Sequence, residues 1–334
     1  MALPQRVGLS AAMTMKSTAF VIGVALSLST GPGYTQPYPG KPVRLLIGPA
    51  AGGPTDALVR VVAAKVSEMW GQQIVVENRP GAGNTIAPTI AAKAPADGYT
   101  LTQCGISDSI APALYQKLGY DLLRDFAPIS LLGTTPNILV VHPSVPAKSV
   151  QEFIAYARAN PEKVDYASTG VGISTHLSME LFKTMAGINL VHVPYKGATL
   201  LYPDLIAGRV SASFGNLPGH VDNVRLGRVR ALGVSTLKRS QRMPEVPTIA
   251  ESGLPGFDVT VWYGLCTPAA VPKPILAKLN ADVVSALSLP ELQRRIEHLG
   301  VDPGSSTPEH FTAFIKSETA RWAKVVKDAG IPPQ

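Results

Sequence analysis

The sequence predicts an α/β fold built as two doubly wound domains, and three observations carry that prediction. Short apolar runs alternate with helix-period segments along most of the chain, Gly, Pro or Asn separates neighbouring segments, and 334 residues at 46% hydrophobic and 16% charged supply apolar material for two medium cores.

The elements follow in order. Residues 43–47 (VRLLI) read as a strand, and residues 57–70 place Leu58, Val62, Val66 and Trp70 on one helical face before Gly71 closes it. A strand at 74–77, a glycine loop at 81–84, a short helix at 86–94 and a strand at 99–104 come next. The pattern resets at 136–142 (PNILVVH), after which Ser149 and Glu152 form a capping-box signal for a helix carrying Phe153, Ile154 and Tyr156. A second α/β unit continues through strand 164–167, helix 175–185 stopped by Gly187, and strands at 190–193, 210–214 and 231–235. From Pro255 onward long helices return at 275–287 and 308–329, the second capped by Thr307 before Pro308, and these are expected to pack back on the first domain. The expected division is 36–137 plus 255–334 for one domain and 138–254 for the other.

The N-terminus reads as a secretory signal over 1–35. Arg6 and Lys16 precede the apolar run 19–28, small residues follow, and the run is too short to span a bilayer. Met13 or Met15 are alternative translation starts, and the mature chain is expected to begin near Gln36. Removing 1–35 takes two basic residues and no acidic ones, so the formal charge falls from +7 to +5 (28 basic minus 23 acidic). Without a Lys/Arg cluster interleaved with aromatics, this mild excess argues against nucleic acid and suits an anionic ligand. Cys104 and Cys266 cannot form a disulfide scaffold in so long a chain; two buried free thiols is the leading expectation, with one bridge as the alternative that an oxidising periplasm permits.

Three loops share one design, in which a strand end leads through glycine or small residues to a helix N-terminus: 49–56 (PAAGGPTD), 81–85 (GAGNT) and 168–175 (STGVGIST). Free N–H groups at a helix start and the positive end of its dipole attract an anion without Arg or Lys. Glycine permits close approach and φ > 0, a conformation available at Gly53. A lone loop of this kind is ordinarily a turn; the recurrence is what points to binding. Enzyme signatures are weak: Ile86 replaces the third glycine of a dinucleotide fingerprint, no Walker lysine follows a glycine loop, and no GxSxG elbow occurs. The six histidines show no metal-ligand spacing. Ser168 with His176 could be nucleophile and base, but His176 more simply ties its own loop together.

At these loops the chain resembles the Bug family, the extracytoplasmic solute receptors of tripartite tricarboxylate transporters. The resemblance runs through YPGKPVRLLIGPAAGGPTD (38–56), NRPGAGN (78–84), DGYTL (97–101), YDLLRDFAPIS (120–130), HLSMELFK (176–183), VPYKG (193–197), PEVPTIAESGLPGF (244–257) and W-x-G-L (262–265). It implies a periplasmic binding protein type II fold, two α/β domains linked by two crossing strands with a ligand closed between them. It also implies carboxylate capture by backbone and hydroxyl groups, partly through two bridging waters. Carried over residue by residue, Ala51, Gly53, Thr55 and Asp56 form one side, and Ser168, Gly170, Ser174 and His176 the other. Asn84, Thr85 and Ser107 close the wall, and Tyr195 and Asn216 reach the distal end.

Two departures matter. Ile173 stands where the family often has Ser or Thr, and Asn84 where it often has a second Gly, which tilts the pocket toward a ligand with an apolar or aromatic body. Asp56 beside an anion site is first a cap or first-turn residue; it could instead bind a ligand ammonium or orient a water. The resulting expectation is a monomeric periplasmic receptor for a mono- or dicarboxylate, without cofactor or metal, partnered by the membrane components of the transporter. A receptor feeding a membrane signalling protein, or a hydrolase acting on a carboxylate ester, are the alternatives.

Overall fold

The computed structural model of the chain describes residues 38–328 together with 330, 331 and 333. The expected signal segment 1–35, the cleavage region around Gln36, and Ala329 lie outside the described residues.

The first part of the chain runs β1 (Val43–Ile47), α1 (Pro54–Trp70), β2 (Ile74–Asn78), a 3-10 turn (Ala82–Asn84), α2 (Ile86–Ala91), β3 (Thr100–Gly105), α3 (Ile106–Leu114) and β4 (Phe126–Val141). It continues with α4 (Val150–Ala159), β5 (Asp165–Ser168), α5 (Ser174–Ala186), β6 (Val191–Pro194), α6 (Ala198–Ile206), β7 (Ala212–Asn216), α7 (Val221–Arg225) and β8 (Arg230–Val234). The chain then closes with β9 (Thr260–Pro268), α8 (Lys273–Leu287), α9 (Pro290–His298), β10 (Asp302–Pro303) and α10 (Pro308–Asp328).

Several local signals act as the sequence predicts. Gly71 and Gly187 take left-handed conformations (φ 63° and 58°) that stop α1 and α5. Ser149 Oγ accepts the Glu152 N–H at 3.2 Å, while the Glu152 carboxylate takes the Lys148 N–H at 2.7 Å, one residue earlier than the ideal reciprocal cap. Thr307 Oγ1 accepts the His310 N–H at 3.2 Å at the start of α10.

The strands form one curled sheet in the order β2-β1-β3-β9-β4-β7-β5-β6, with β8 and β10 also pairing with β4. Parallel pairs β1/β2 and β1/β3 make one side, and parallel pairs β5/β6 and β5/β7 the other. Between them the antiparallel strands β4 and β9 carry the chain across: Phe126 to Pro136 of β4 pair with β9, and Asn137 to Val141 with β7. The two-residue side-chain period of β4 splits its last residues between cores, Leu139 and Val141 into one cluster and Ile138 and Val140 into the other. Ser235 pins the crossing, its hydroxyl taking the Asn137 N–H at 2.8 Å and donating to Val259 O at 2.5 Å.

The C-terminal helices pack on the first part of the chain: α8 lies on α1 and β4, and α10 on α3 and β4. Trp70 Nε1 donates to Asp282 of α8 at 2.6 Å, and Asn280 of α8 donates to Ile129 O of β4 at 2.7 Å. One expectation is overturned. Cys104 and Cys266 form a disulfide rather than two free thiols, because antiparallel β3 and β9 place Cys104 opposite Gly264 and Thr102 opposite Cys266, leaving the cysteine Cα atoms 6.0 Å apart. Their spacing in sequence, 162 residues, carried no hint of that register.

Candidate functional site

A cavity of about 510 Å³ opens where the loops after β1, β3 and β5 face the segment after β6 and the middle of β9. Its walls include the cap and first-turn residues of four helices, α1 (Gly53, Pro54, Thr55), α3 (Gly105, Ile106, Ser107), α5 (Ile173, Ser174, Thr175) and α6 (Gly197, Ala198, Thr199). The four N-cap residues are Gly53, Gly105, Ile173 and Gly197, none of which carries a side-chain acceptor. Ser, Thr, Asn or Asp ordinarily holds that position and satisfies the first N–H groups. Here those donors are left to whatever enters the cavity. Each terminus contributes about 0.3–1 kcal/mol to holding an anion, so four together supply on the order of 1–4 kcal/mol.

The charged side chains on the wall are Asp108 and Lys196. Asp108 is spent: its Oδ2 accepts the Gly105 N–H at 2.8 Å and its Oδ1 the Tyr120 hydroxyl at 2.7 Å. Burial lifts its pKa to about 6, against the pull of those hydrogen bonds. Lys196 is exposed at the mouth. The remaining wall is neutral, with Gln103, Asn84, Asn216 and Thr169 among apolar and aromatic surface from Ile173, Tyr202, Val261 and Tyr263.

Of the residues the sequence singled out, the cavity brings together Ala51, Gly53, Thr55, Asn84, Ser107, Ile173, Ser174 and Asn216. The others stand behind the wall or away from it. Asp56 is buried, its carboxylate accepting Gly52 N–H, Arg60 Nε (both 2.9 Å) and Asn78 Nδ2 (3.0 Å). Burial pushes its pKa up, but the bonds from Arg60, Gly52 and Asn78 outweigh that and hold it below the usual carboxylate range. It therefore organises the loop, as a first-turn acid does. Thr85 donates to Ala82 O at 2.7 Å. Tyr195 turns its hydroxyl to Asp204 at 2.9 Å, and its neighbours Lys196, Gly197 and Thr199 face the cavity in its place.

The loop before α5 is held from behind. His176 is buried and its Nδ1 accepts the Gly172 N–H at 3.2 Å, while its ring stacks on His192 at 4.3 Å. Ser168, fully buried, donates to Gly170 O at 3.0 Å and meets His192 Nε2 at 2.7 Å. Burial lowers the pKa of both rings, that of His192 to about 4. The Ser168 hydroxyl is thus paired with a different histidine from the one the sequence offered, and neither Ser168 nor His176 lines the cavity.

Two further details differ from expectation. The loop 81–85 is not an open helix start: Asn84 N–H bonds Gly81 O and Thr85 N–H bonds Ala82 O, so its donors are consumed in the 3-10 turn. Its place as a donor wall is taken by α3, and α6 adds a fourth. Gly53 has φ −81°, and the positive φ of the first loop belongs to Gly52 (81°).

The profile of the tripartite tricarboxylate transporter family receptor (TctC) matches residues 58–331. The chain belongs to that family. Among relatives of this TctC receptor, Protein BugT of Bordetella pertussis (strain Tohama I) is 34% identical over 95% of this chain and 99% of its own. In fold this chain is similar to the R. palustris protein Rpa4515 with adipate (TM-score 0.84, 38% identity, 89% of this chain and 100% of that one). It is likewise similar to MatC from Rhodopseudomonas palustris with bound malate (TM-score 0.80, 33% identity, 86% and 100%). The TctC receptor therefore has the periplasmic binding protein fold, in a family of solute receptors rather than enzymes. Among the described residues no helix is long and apolar enough to cross a membrane, and no three His, Cys, Asp or Glu residues are grouped to hold a metal.

Proposed function

We propose that this chain is a secreted receptor that captures a small mono- or dicarboxylate in the periplasm and delivers it, without chemical change, to the membrane components of a tripartite tricarboxylate-type transporter. The observation that carries the reading is the convergence of four helix N-termini without side-chain caps on a cavity whose wall, among the described residues, holds no arginine. Such a site holds a carboxylate by backbone N–H groups and hydroxyls, among them those of Thr55, Ser107, Ser174 and Thr199 in the first turns that line the cavity. Asp56, Thr85, Ser168, Gly170, His176 and Tyr195 serve by shaping the loops. Relatives with adipate and malate support the ligand class. The disulfide supports an oxidising compartment, and the signal segment is removed between about Gly33 and Gln36. The chain acts as a monomer of two domains, 36–137 with 255–334 and 138–254, closing by a hinge at β4 and β9.

Thermal unfolding across C4 to C8 dicarboxylates, malate, citrate and aromatic acids tests this. An acid at about 100 times its Kd adds ~2.7 kcal/mol of stability. Silence across all carboxylates, or turnover of a carboxylate ester, refutes it.

A further inference from the structure

A second cavity, of about 540 Å³, is lined from the start of α4, from β8 and from the segment 243–247. It shares no lining residue with the first. Strand β4 sets the two apart: its Asn137 pairs with Asn216 on the wall of the first cavity, and its Val141 pairs with Arg230 on the wall of the second. Four residues of strand between those pairs correspond to about 13 Å. The volume lies within the range of small-molecule sites, about 300–1,000 Å³.

Its apolar surface comes from Val229, Leu232, Met243 and Val246, all buried. Arg230 is half-buried beside them, and its Nη1 donates to Ala147 O at 2.9 Å and to Val145 O at 3.2 Å. Those carbonyls fix the guanidinium and leave Nε and Nη2, the edge that meets an acid group with two parallel bonds, without a partner among the described residues. Ser252 lines the cavity at 7% exposure, and its hydroxyl has no hydrogen-bond partner among the described residues. Buried polar groups ordinarily find acceptors inside the protein. Lys148 adds an exposed ammonium to the same wall, again without an acidic partner among the described residues. Two acids temper this charge: Glu245, exposed on the wall, and Glu152, whose carboxylate accepts the Lys148 N–H at 2.7 Å. The balance suits one anionic group rather than a polyanion.

We propose that this cavity is a second binding site, for an organic monoanion with an apolar body such as an aromatic carboxylate. The Arg230 fork takes the acid group, Lys148 and Ser252 support it, and the body lies on Leu232, Met243 and Val246. The capture proposed for the first cavity uses backbone donors, whereas this site uses a side-chain cation, so mutation separates the two.

Methyl NMR tests it on mature chain carrying ¹³C at its methionine methyls, titrated with 2-naphthoate and with its uncharged counterpart 2-naphthamide. The Met243 methyl, assigned through Met243→Leu, moves saturably with naphthoate, and naphthamide binds at least tenfold more weakly. Arg230→Gln keeps a hydrogen-bonding side chain without the charged fork and weakens naphthoate at least tenfold. Lys148→Glu reverses a charge on an exposed side chain, weakens naphthoate by a similar factor, and decides the matter should Arg230→Gln not fold. A Met243 methyl that does not move saturably, naphthamide that binds as tightly as naphthoate, or a folded Arg230→Gln or Lys148→Glu chain with the parent's affinity overturns the proposal. None of these outcomes bears on carboxylate capture in the first cavity.

Discussion

Giving α1 the side-chain cap it lacks should strengthen the fold and weaken binding at the same time. Gly53 has φ −81° and ψ 169°, the ordinary conformation of an N-cap, and a Cβ there meets only Ala50 O at 3.6 Å, so Asn or Asp fits without strain. A cap better than glycine contributes a few tenths of a kcal/mol. Replacing glycine also removes unfolded-state freedom worth about 0.4–1 kcal/mol. The sum, about 0.5–1.5 kcal/mol, raises the Tm of a ~300-residue chain by roughly 1–2 °C at ~2.1 cal/mol/K per residue. Binding moves the other way. In Gly53→Asn the new amide side chain occupies an N–H that the carboxylate otherwise receives, a charge-assisted hydrogen bond worth about 1.5–3 kcal/mol, or ~10–100-fold in Kd. Gly53→Asp adds repulsion of up to about 4 kcal/mol at ~4 Å and an effective dielectric of ~20, so its loss exceeds ~100-fold. Thermal unfolding and calorimetric titration of both variants with adipate read the two effects. Variants that bind adipate as tightly as the parent chain refute capture by the α1 terminus.

Other perturbations follow from the same geometry. Asp56 is held below the usual carboxylate range, so its pairing stabilises the fold above its unfolded value of ~3.9 and is lost as pH falls through its lower folded value. Asp56→Asn therefore costs about 1–3 kcal/mol at pH 7 and progressively less toward pH 3 by urea unfolding, and an equal cost at both pH values contradicts its assignment as the loop's anion. The His176 and His192 rings have folded values below ~6.5, so the stability their neutral forms contribute is present above that pH and lost only as pH falls through those lower values. His192 is neutral at pH 6 by NMR titration, and His176 titrates below its ordinary value; a midpoint at or above ~6.5 for either would falsify their assigned packing. Reducing Cys104–Cys266 costs about 2–4 kcal/mol in chemical unfolding, and the denatured, unreduced chain reacts with no thiol reagent. A free thiol in that state removes the bridge.

Legibility in the sequence followed the physics of each element. Amphipathic α1 and α5, with glycine at the stop of each, and the short apolar strands between them were readable because periodicity and caps are local. Helices α3 and α6 escaped notice because each contains a proline, Pro112 and Pro203, and each begins directly after a glycine without a capping side chain. That missing cap is the feature on which the proposed anion site rests, and Gly105 and Gly197 at strand-to-helix junctions could have exposed it. The first half of β4 was hidden by Pro128, Gly133 and Pro136, and β9 by its role as a crossing strand, whose partners lie far off in sequence. The disulfide depended on the β3/β9 register, so the sequence could offer it only as the alternative to two free thiols. In the site, the loops of α1 and α5 were legible as glycine-rich helix starts. Tyr195 was misplaced because only the packed position of α6 turns its hydroxyl to Asp204 and presents Lys196 and Thr199 instead.

The central claim, that backbone donors at helix starts hold the ligand, is tested most directly by amide spectra of ¹⁵N-labelled, deuterated mature chain titrated with adipate. The account predicts downfield shifts of the first-turn amides at Thr55, Ser107, Ser174 and Thr199 that saturate with the calorimetric Kd, while Lys196→Ala binds adipate within about tenfold, ~1.4 kcal/mol, of the parent chain. Saturable adipate binding that leaves those amides unmoved, together with a loss above ~100-fold in Lys196→Ala, would contradict it and assign the ligand to a salt bridge at the mouth.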